Sequence, residues 1–464
     1  MKLKKNDTVE IEITSLNNLG FGTGRVGGMV VFVDGAVMGE RVLAKVIKVT
    51  SSYAVARAEK LLTRSPYRVS DRCHISACKS CAYKSVSYGC EIEEKRRGVS
   101  QEFIKAGLAD VRIAPLVSTK KTCAYRNKAQ YPVSKNREGD YLIGFFAPKS
   151  HRVTEAADCP LAPSAFRDIL ELLRAFFKKH NISVYDEVSG KGLLRHIYLR
   201  RAEIGGEILL TLVINGRTLP HSDELISLVK EGFPDVCGIL LNVNEKKTNV
   251  ILGEEYITLC GRNYIYDTLA GVRLKISAPA FYQVNRECAE LLYKKARELA
   301  RLEAGDVLVD LYCGAGSIGL SMADAVRELY GVEIVESAVL CARENAENNG
   351  IFNAKFYTGD AADTEGLLAD AERAIGKKIK PDVVILDPPR AGCDERLIKY
   401  VASLSPKRVV YVSCNPATLA RDCKLFRELG FDIGEVTPVD MFPGTGHVES
   451  VVCLTRGLDV DMRR

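Results

Sequence analysis

The chain has 464 residues, of which 47% are hydrophobic and 27% are charged, and this ordinary globular composition excludes a fibrous or mainly disordered protein. Its 65 Lys and Arg against 59 Asp and Glu leave a net charge of +6, which permits an anionic partner without requiring one. No apolar run reaches membrane-spanning length and the start, MKLKKNDTVEIEI, lacks a signal-peptide core, so we expect a cytoplasmic protein without membrane contact. The 15 cysteines are therefore expected to be free, metal-binding or catalytic rather than paired in disulfides.

Residues 1–62 have the pattern of a small, OB-like β-barrel. Short strands are separated by glycines, as is typical of closed barrels with tight turns. The predicted strands are 8–13, 24–26, 29–33, 40–49 and 53–61. Barrels of this kind often bind oligonucleotides, and the basic residues Arg25, Lys45 and Lys48 suit that role, but they suit ordinary solvated positions equally well.

Residues 63–265 begin with a group of closely spaced cysteines and continue as a mixture of strands and helices. Helices are predicted over 90–106 and 163–180, and strands over 207–215 and 235–244. The expected fold of this part is therefore a central α+β domain that carries a cysteine cluster.

Residues 266–464 alternate apolar strands with helices. The strands are predicted over 306–312, 328–334, 382–387 and 408–413. This alternation predicts an α/β, doubly wound, Rossmann-like parallel sheet, and such sheets bind ligands at the carboxyl ends of their strands. The residues that end these strands are therefore the candidates for a functional site.

A glycine-rich turn, 314-GAGSIG-319, follows the first of these strands and opens a helix. Glycines such as Gly314 let the backbone pass close to a ligand, and a helix amino terminus adds hydrogen-bond donors. Glu333 ends the next strand, where an acid binds ribose hydroxyls, and Asp360 ends the strand after it, where it can hold an adenine edge. NAD and S-adenosylmethionine both fit these features. Asp310 and the later strand ends favour S-adenosylmethionine, because they suit methyl transfer better than hydride transfer.

Two loops at the later strand ends carry reactive side chains. In 386-LDPPRAG-392, two prolines stiffen the loop and hold Asp387 at the edge of the sheet. Cys414 lies where a strand ends and a helix begins, a position at which we expect the helix dipole to lower the thiol pKa. By position alone, a structural cysteine and a nucleophile are equally good interpretations.

Covalent catalysis on uracil would explain such a cysteine. Carbon 5 of uracil is a poor nucleophile, but a thiolate added to carbon 6 creates an enolate whose carbon 5 can attack a methylsulfonium. A base must then remove the carbon-5 proton so that the thiolate can leave. His447 and Glu449 precede the last strand, and a carboxylate whose pKa is raised in a dry pocket suits this task. His447 by itself is better explained as a structural residue.

Together these segments resemble the RNA 5-methyluridine (uracil-C5) methyltransferase family. The matching segments are 125-YRNKAQYPV-133, 281-FYQVN-285, 310-DLYCGAGSIGL-320, 387-DPPRAG-392, 409-VVYVSCNPATLARD-422 and 447-HVES-450. The resemblance implies that Cys414 is the nucleophile and Glu449 the base. It implies an S-adenosylmethionine site lined by Gln283, Tyr312, Gly314, Glu333, Asp360 and Asp387. It also makes the barrel similar to the TRAM domain of the family's ribosomal-RNA (23S) branch.

The same resemblance assigns a role to some of the cysteines. Cys73, Cys78 and Cys81, with the distant Cys159, resemble the four ligands of a [4Fe–4S] cluster in this family, although the first gap is one residue shorter than usual. Four sulfur ligands also suit zinc, and the nearby Cys90 is either a substitute ligand or a bystander. The expected role of the cluster is structural.

The expected function is S-adenosylmethionine-dependent methylation of carbon 5 of a uridine in RNA, through a covalent adduct between Cys414 and carbon 6. The resemblance favours 23S ribosomal RNA as the substrate. We expect a monomer, because a long, flexible RNA is best met by one asymmetric surface. The expected domains are a TRAM-like barrel (1–62), the central domain with an RNA-binding surface (63–265) and a class I methyltransferase domain (266–464). The alternatives are a transfer-RNA uracil-5-methyltransferase, an RNA cytosine-5- or amino-methyltransferase, and a non-catalytic RNA-binding assembly factor.

Overall fold

The amino-terminal part is a six-stranded barrel, as predicted. The computed structural model describes residues 3–75, 77–148, 150–360, 366 and 368–457. The strands are β1 (Thr8–Glu12), β2 (Ser15–Leu16), β3 (Gly22–Val26), β4 (Met29–Asp34), β5 (Arg41–Val49) and β6 (Tyr53–Thr63), in the order β1-β5-β6-β4-β3-β2. Strand β3 passes close to β1: a Cβ on Gly24 would lie 2.3 Å from the carbonyl oxygen of Glu12, so only glycine permits this closure.

Helix α1 (Tyr88–Lys105) follows the barrel, and the middle of the chain then forms a seven-stranded sheet with the order β13-β12-β11-β10-β7-β8-β9. Its elements are β7 (Lys128–Lys135), β8 (Tyr141–Phe146), β9 (Val153–Glu155), α2 (Ser164–Lys179), β10 (Leu194–Arg201), β11 (Ile208–Ile214), α3 (Ser222–Gly232), β12 (Val236–Val243) and β13 (Glu255–Gly261). Phe166, Leu170 and Phe177 of α2 are buried in the same core as these strands. Helix α3 was not predicted, although Leu225 and Val229 recur at helical spacing and are buried.

The carboxyl-terminal part is the predicted α/β sheet. A hairpin, β14 (Tyr264–Leu269) and β15 (Val272–Ser277), and helix α4 (Arg286–Ala300) lead into it. The sheet and its helices are β16 (Val307–Leu311), α5 (Ser317–Leu320), β17 (Glu328–Glu333), α6 (Glu336–Asn348), β18 (Ala354–Thr358), α7 (Ala369–Ile375), β19 (Val383–Leu386), α8 (Glu395–Ser403), β20 (Arg408–Ser413), α9 (Pro416–Glu428), β21 (Phe431–Ile433), β22 (Thr437–Val439) and β23 (Glu449–Arg456). Strands β16 to β20 are parallel in the order β18-β17-β16-β19-β20, and β23 joins them antiparallel to β20.

Helix α1 packs against this last sheet, although it precedes the middle one in the chain. Its Val99 and Phe103 are buried in one cluster with Val409 and Leu419 of β20 and α9. In the same helix, the Lys95 ammonium donates to Asp440 Oδ1 at 2.7 Å, in a fully buried ion pair. None of the helices in the described ranges is long and apolar enough to cross a membrane.

Candidate active site and cysteine cavity

The strand ends of the carboxyl-terminal sheet form one large cavity. Because β16 pairs in parallel with both β17 and β19, the residues at their carboxyl ends, Tyr312, Glu333 and Asp387, reach the same edge. These three side chains line a cavity of about 900 Å³. The other residues that the sequence predicted for the site line it too, namely Gln283, Gly314, Asp360, Cys414 and Glu449.

The glycine-rich turn holds one of the acidic residues in place. Gly314 has a φ of +54°, which favours glycine, and its N–H donates to Glu333 Oε2 at 3.1 Å. The other carboxylate oxygen of Glu333 accepts from the N–H of Val335 at 2.9 Å. Two backbone donors therefore fix the Glu333 carboxylate at the cavity wall, where its remaining lone pairs can accept from a ligand hydroxyl.

Asp310 is a buried carboxyl at the same edge. Its Oδ2 accepts from the N–H of Gly319 at 2.9 Å, while Oδ1 is buried without a hydrogen-bond partner among the described residues. Burial first, and then the charges of Asp387 and Glu333, raise the pKa of Asp310 to about 8. The free oxygen is an acceptor that a ligand donor or cation would satisfy.

Cys414 and Glu449 lie next to each other at the ends of two adjacent strands. Ser413 of β20 is paired with Ser450 of β23 in antiparallel register, so the next residues outward are Cys414 and Glu449. Cys414 is partly buried, and Glu449 is 6% exposed. Asn415 caps α9 through its Oδ1, which accepts from the N–H of Ala417 at 3.1 Å. Its amide Nδ2 donates to the carbonyl of Arg390 at 3.0 Å, so the cap ties the cysteine loop to the Asp-Pro-Pro-Arg loop.

Burial raises the pKa values of the three acidic groups at these strand ends, namely Asp387, Cys414 and Glu449. Burial and the charge of Asp387 raise the pKa of Glu449 to about 8, against the opposing charge of Arg390, and burial raises the pKa of Asp387 to about 7. The pKa of Cys414 is also raised, by burial first and then by Glu449 and Asp387. The expectation of a lowered thiol pKa at the helix amino terminus is therefore wrong, because burial and the two carboxyl groups outweigh Arg390.

Several residues of the cavity wall were not singled out from the sequence. Arg390, Phe442 and Lys128 line the cavity, and Phe281 lines it while remaining 70% exposed. All but Phe442 lie inside segments that carried the family resemblance, but no spacing rule marks them individually. His447 also lines the cavity, and its ring lies 3.4 Å from the Arg390 guanidinium. Burial first, and then the charge of Arg390, lower the pKa of His447 from its ordinary value.

We expect the free protein to lose stability as the pH rises from about 6 to about 9. The pKa values of Asp310, Asp387 and Glu449, about 8, 7 and 8, lie above those of the unfolded chain. This contribution to stability is full below the unfolded values near ~4 and is lost as the pH rises through the folded ones. Asp310→Asn keeps an acceptor for Gly319 and removes one ionisation. Between these two pH values, the thermal midpoint of the variant should therefore fall less than that of the unmodified protein, by a difference of at least ~2 °C. Thermal unfolding at both pH values measures this, and equal falls in the two proteins would contradict it.

The four predicted metal ligands meet in a second cavity. Cys73, Cys78, Cys81 and Cys159 line a space of about 400 Å³. Burial, followed by the proximity of the other three cysteines, raises the pKa of Cys81 to about 12. The basic residues Arg72, Lys84 and Arg126 line the same space. Arg72 and Lys84 are paired with Glu91 and Asp71, so the cavity combines its thiols mainly with the charge of Arg126.

Two other cysteines occupy positions that the sequence did not settle. Cys90 is packed with Leu16 and Tyr83 in a small apolar cluster and does not line this cavity, so it is a bystander. The exposed Cys123, which the sequence analysis passed over, does line it. Its place in the sequence did not mark it as part of the cluster, because it is far in the chain from both the Cys73–Cys81 group and Cys159.

The four sulfur atoms are spread widely. Within the described ranges, no three of them lie within 4.8 Å of one another. Two thiolates on one tetrahedral zinc ion lie about 3.8 Å apart, given a Zn–S distance of about 2.3 Å. The observed spread is thus wider than a single zinc ion needs. The loop before β23 separates the two cavities, because Gly444 lines the cysteine cavity while Phe442 and His447 line the larger one.

Two protein-family models match the chain. The first, described as tRNA (Uracil-5-)-methyltransferase, matches residues 87–457. The second, described as TRAM domain, matches residues 2–59. The first match extends over more than half of the chain and contains the larger cavity, but the lining residues of the cysteine cavity from Arg72 to Lys84 lie before it.

Bacterial relatives match over nearly their whole length. A protein of Clostridium acetobutylicum is 40% identical over 458 residues, covering 98% of this chain and 98% of the relative. A protein of Clostridium tetani is 38% identical over 454 residues, covering 98% of this chain and 97% of the relative. Both are named as uncharacterized RNA methyltransferases.

One solved structure is similar over the whole fold. It is the crystal structure of the Pyrococcus abyssi tRNA (uracil-54, C5)-methyltransferase in complex with S-adenosyl-L-homocysteine. The two proteins are 28% identical with a TM-score of 0.76, and the match covers 96% of this chain and 100% of the other.

Proposed function

Because the chain belongs to the tRNA (uracil-5-)-methyltransferase family of RNA methyltransferases, we propose that it methylates carbon 5 of a uridine in RNA, with S-adenosylmethionine as donor and a covalent enzyme–RNA adduct as intermediate. The observation that carries the proposal is the placement of Cys414 and Glu449 at adjoining ends of β20 and β23, inside the cavity that the glycine-rich turn opens. A nucleophile and a base side by side are what addition and elimination at uracil require.

The residues of the cavity fit S-adenosylmethionine. When bound, this cofactor supplies an electrophilic methyl group on a sulfonium. Glu333 would accept hydrogen bonds from its ribose, and Asp360 from its adenine amino group. The unpartnered Oδ1 of Asp310 suits its ammonium group. The S-adenosyl-L-homocysteine bound to the Pyrococcus abyssi neighbour supports the same use of the cavity.

Cys414 and Glu449 divide the reaction into balanced steps. Cys414 Sγ bonds to carbon 6 of uracil as the thiol proton passes to the Asp387 carboxylate. Carbon 5 of the resulting enolate then accepts the methyl group, whose bond to the donor sulfonium sulfur breaks, so that the donor would leave as neutral S-adenosyl-L-homocysteine. Glu449 then takes the carbon-5 proton, and the C6–S bond breaks to return the cysteine. Carboxyl groups with pKa values of about 7 and 8 are well matched to move these protons near neutral pH.

The RNA substrate has two candidates. The resemblance of the chain to the TRAM-containing branch favours a uridine of 23S ribosomal RNA. Transfer RNA is the second candidate, because the Pyrococcus abyssi neighbour is described as a transfer-RNA enzyme and is similar over 96% of this chain. A match of that extent includes most of the barrel, so the barrel alone does not select ribosomal RNA.

The product nucleoside tests this proposal. Fragments of large-subunit ribosomal RNA and unmodified transfer RNA would be incubated with the protein and methyl-labelled S-adenosylmethionine, digested, and analysed by liquid chromatography and mass spectrometry. We expect label in 5-methyluridine from one RNA class. Label in 5-methylcytidine or in a base methylated on nitrogen would contradict the proposal, and RNA binding without any label would favour the assembly-factor alternative.

We further propose that Cys73, Cys78, Cys81 and Cys159 hold a [4Fe–4S] cluster. Four thiolates are the usual ligands of such clusters, and a cluster bound by four thiolates carries negative charge that Arg126 would help to balance, whereas Arg72 and Lys84 are paired with Glu91 and Asp71. The wide spread of the sulfur atoms favours a cluster over zinc. Since Gly444 lines this cavity, a bound cluster would brace the loop that carries His447 into the larger one.

Removal of one ligand should release the metal. We expect Cys81→Ser, purified without oxygen, to lose most of its iron and acid-labile sulfide together with the visible absorption of the cluster. Cys90→Ser is the matched control and should keep them, because Cys90 packs outside the cavity. Full iron in the Cys81 variant, or zinc without sulfide in the unmodified protein, would contradict the assignment.

A further inference from the structure

Two positive charges stand directly opposite each other at the wall of the active-site cavity. Lys128, the first residue of β7, lines the cavity and is partly buried. In the antiparallel register of β7 and β10 its partner is Arg200. Like charges at directly opposite positions of two strands repel each other and destabilise the sheet. This pair therefore has a cost in the free protein that packing alone does not explain.

Hydrogen bonds fix the Arg200 guanidinium but do not involve all of its donor groups. It is 1% exposed, its Nε and Nη2 donate to the hydroxyl of Tyr198 at 3.1 and 2.7 Å, and Nη2 also donates to the carbonyl of Ala280 at 2.7 Å. Nη1 is buried without a hydrogen-bond partner among the described residues. Ala280 itself lines the active-site cavity, so the guanidinium lies just behind its wall.

No anion of the described chain balances these charges. Burial lowers the pKa of Lys128 to about 8, and the positive charges of Arg200 and Arg126 act in the same direction, with no carboxylate opposing them. The two contacts of Arg200 are with a neutral hydroxyl and a neutral carbonyl. Uncompensated cations in a partly dry wall are unfavourable unless a ligand supplies the negative charge.

The charges of the expected ligands indicate which of them could balance Lys128 and Arg200. An uncharged uracil cannot balance two cations. The amino-acid end of S-adenosylmethionine carries an ammonium beside its carboxylate, and the whole molecule is cationic. A phosphodiester carries a full negative charge and accepts hydrogen bonds from both ammonium and guanidinium groups.

We propose that Lys128, with the buried charge of Arg200 directly behind it, forms a subsite for one phosphate group of the RNA, next to the nucleotide whose base enters the cavity. This inference rests on the proposed function, since it assigns the RNA to the same cavity. The subsite would compensate part of the unstacking energy of the flipped nucleotide and fix the position of its ribose relative to Cys414.

Binding measurements test the subsite without requiring turnover, so their outcome is independent of the methylation assay. The probe is a short fluorescent RNA hairpin with uridines in its loop, titrated at several salt concentrations. For Lys128→Gln we expect roughly tenfold weaker binding at low salt and a salt slope smaller by about 0.7 to 0.9, the value for one lost phosphate contact. Lys128→Arg should restore both. Lys135→Gln, at the far, exposed end of the same strand, is the control and should change neither.

Two further measurements distinguish an RNA phosphate from the cofactor carboxylate as the anion bound by Lys128. Affinity for S-adenosyl-L-homocysteine, measured by calorimetry, should change by less than about twofold in Lys128→Gln, because the cofactor does not use this subsite. Replacing single phosphates of the loop by neutral methylphosphonates should, at one position, weaken binding to the unmodified protein but not to Lys128→Gln. A loss of cofactor affinity with an unchanged salt slope would overturn the proposal, and so would no change in either quantity or an equal effect of Lys135→Gln.

Discussion

Replacing Cys414 by alanine is expected to lower the rate of methyl transfer by a factor of about 10⁴ or more, while RNA and cofactor affinities stay within about threefold. Carbon 5 of uracil becomes nucleophilic only when a thiolate has added to carbon 6, and no other described thiol stands beside Glu449 at the ends of β20 and β23. A methyl-transfer assay with labelled S-adenosylmethionine, together with RNA binding, measures both quantities.

Cys341→Ala is the matched control for this experiment. Cys341 is a second thiol on the wall of the same cavity, on helix α6, far along the sheet edge from β20. Its removal should leave most of the activity, because its thiol is not paired with a base. Activity that survives the loss of Cys414, or that is lost equally with Cys341, would show that Cys414 is not the nucleophile.

Replacing Glu449 by glutamine should stop the reaction after methyl transfer and before release of the cysteine. The amide cannot take the carbon-5 proton, so addition and methyl transfer proceed but elimination does not. We expect turnover to fall by about 10² to 10⁴ and a covalent protein–RNA complex to accumulate on unmodified RNA. The complex is detected as a band of lower mobility on a denaturing gel, and mass spectrometry should find the extra methyl group in it.

The control for Glu449→Gln combines it with Cys414→Ala, which should form no complex. The substitution is also expected to stabilise the free protein at about pH 8, since it removes a buried group that is otherwise partly ionised there. Loss of activity through unfolding is thereby distinguished from loss of the base. Normal turnover of Glu449→Gln, or an inactive variant that forms no adduct with any RNA, would contradict the assignment of Glu449 as base.

The sequence predicted, for a physical reason, that the site residues converge at one edge of the carboxyl-terminal sheet. Parallel strands such as β19 and β20 are buried on both faces, so they stand out as apolar runs, and their carboxyl ends must meet at one edge. Asp387 and Cys414 follow these runs directly, and the glycine-rich turn adds a third fixed point. Their convergence in one cavity needed no knowledge of side-chain contacts.

Properties that depend on contacts between residues distant in the chain could not be predicted from the sequence. The helix amino terminus next to Cys414 suggested a lowered thiol pKa, but the effect of Glu449 and Asp387 depends on the pairing of β20 with β23 and on the neighbouring loop. Cys123 and Cys90 could not be ranked as neighbours of the cysteine cluster by spacing alone. The opposition of Lys128 and Arg200 is likewise fixed by the register of two strands that lie about 70 residues apart in the chain.

The most direct test of the account is to trap the covalent intermediate. Ribosomal and transfer RNA transcribed with 5-fluorouridine carry a fluorine that cannot leave carbon 5 as a cation, so the adduct with Cys414 should persist after methyl transfer. Protein, S-adenosylmethionine and each RNA would be separated on a denaturing gel beside Cys414→Ala. We expect a band of lower mobility with one RNA class, dependent on the cofactor and absent from the variant. No such band with any RNA that the protein demonstrably binds, or an equal band with Cys414→Ala, would contradict it.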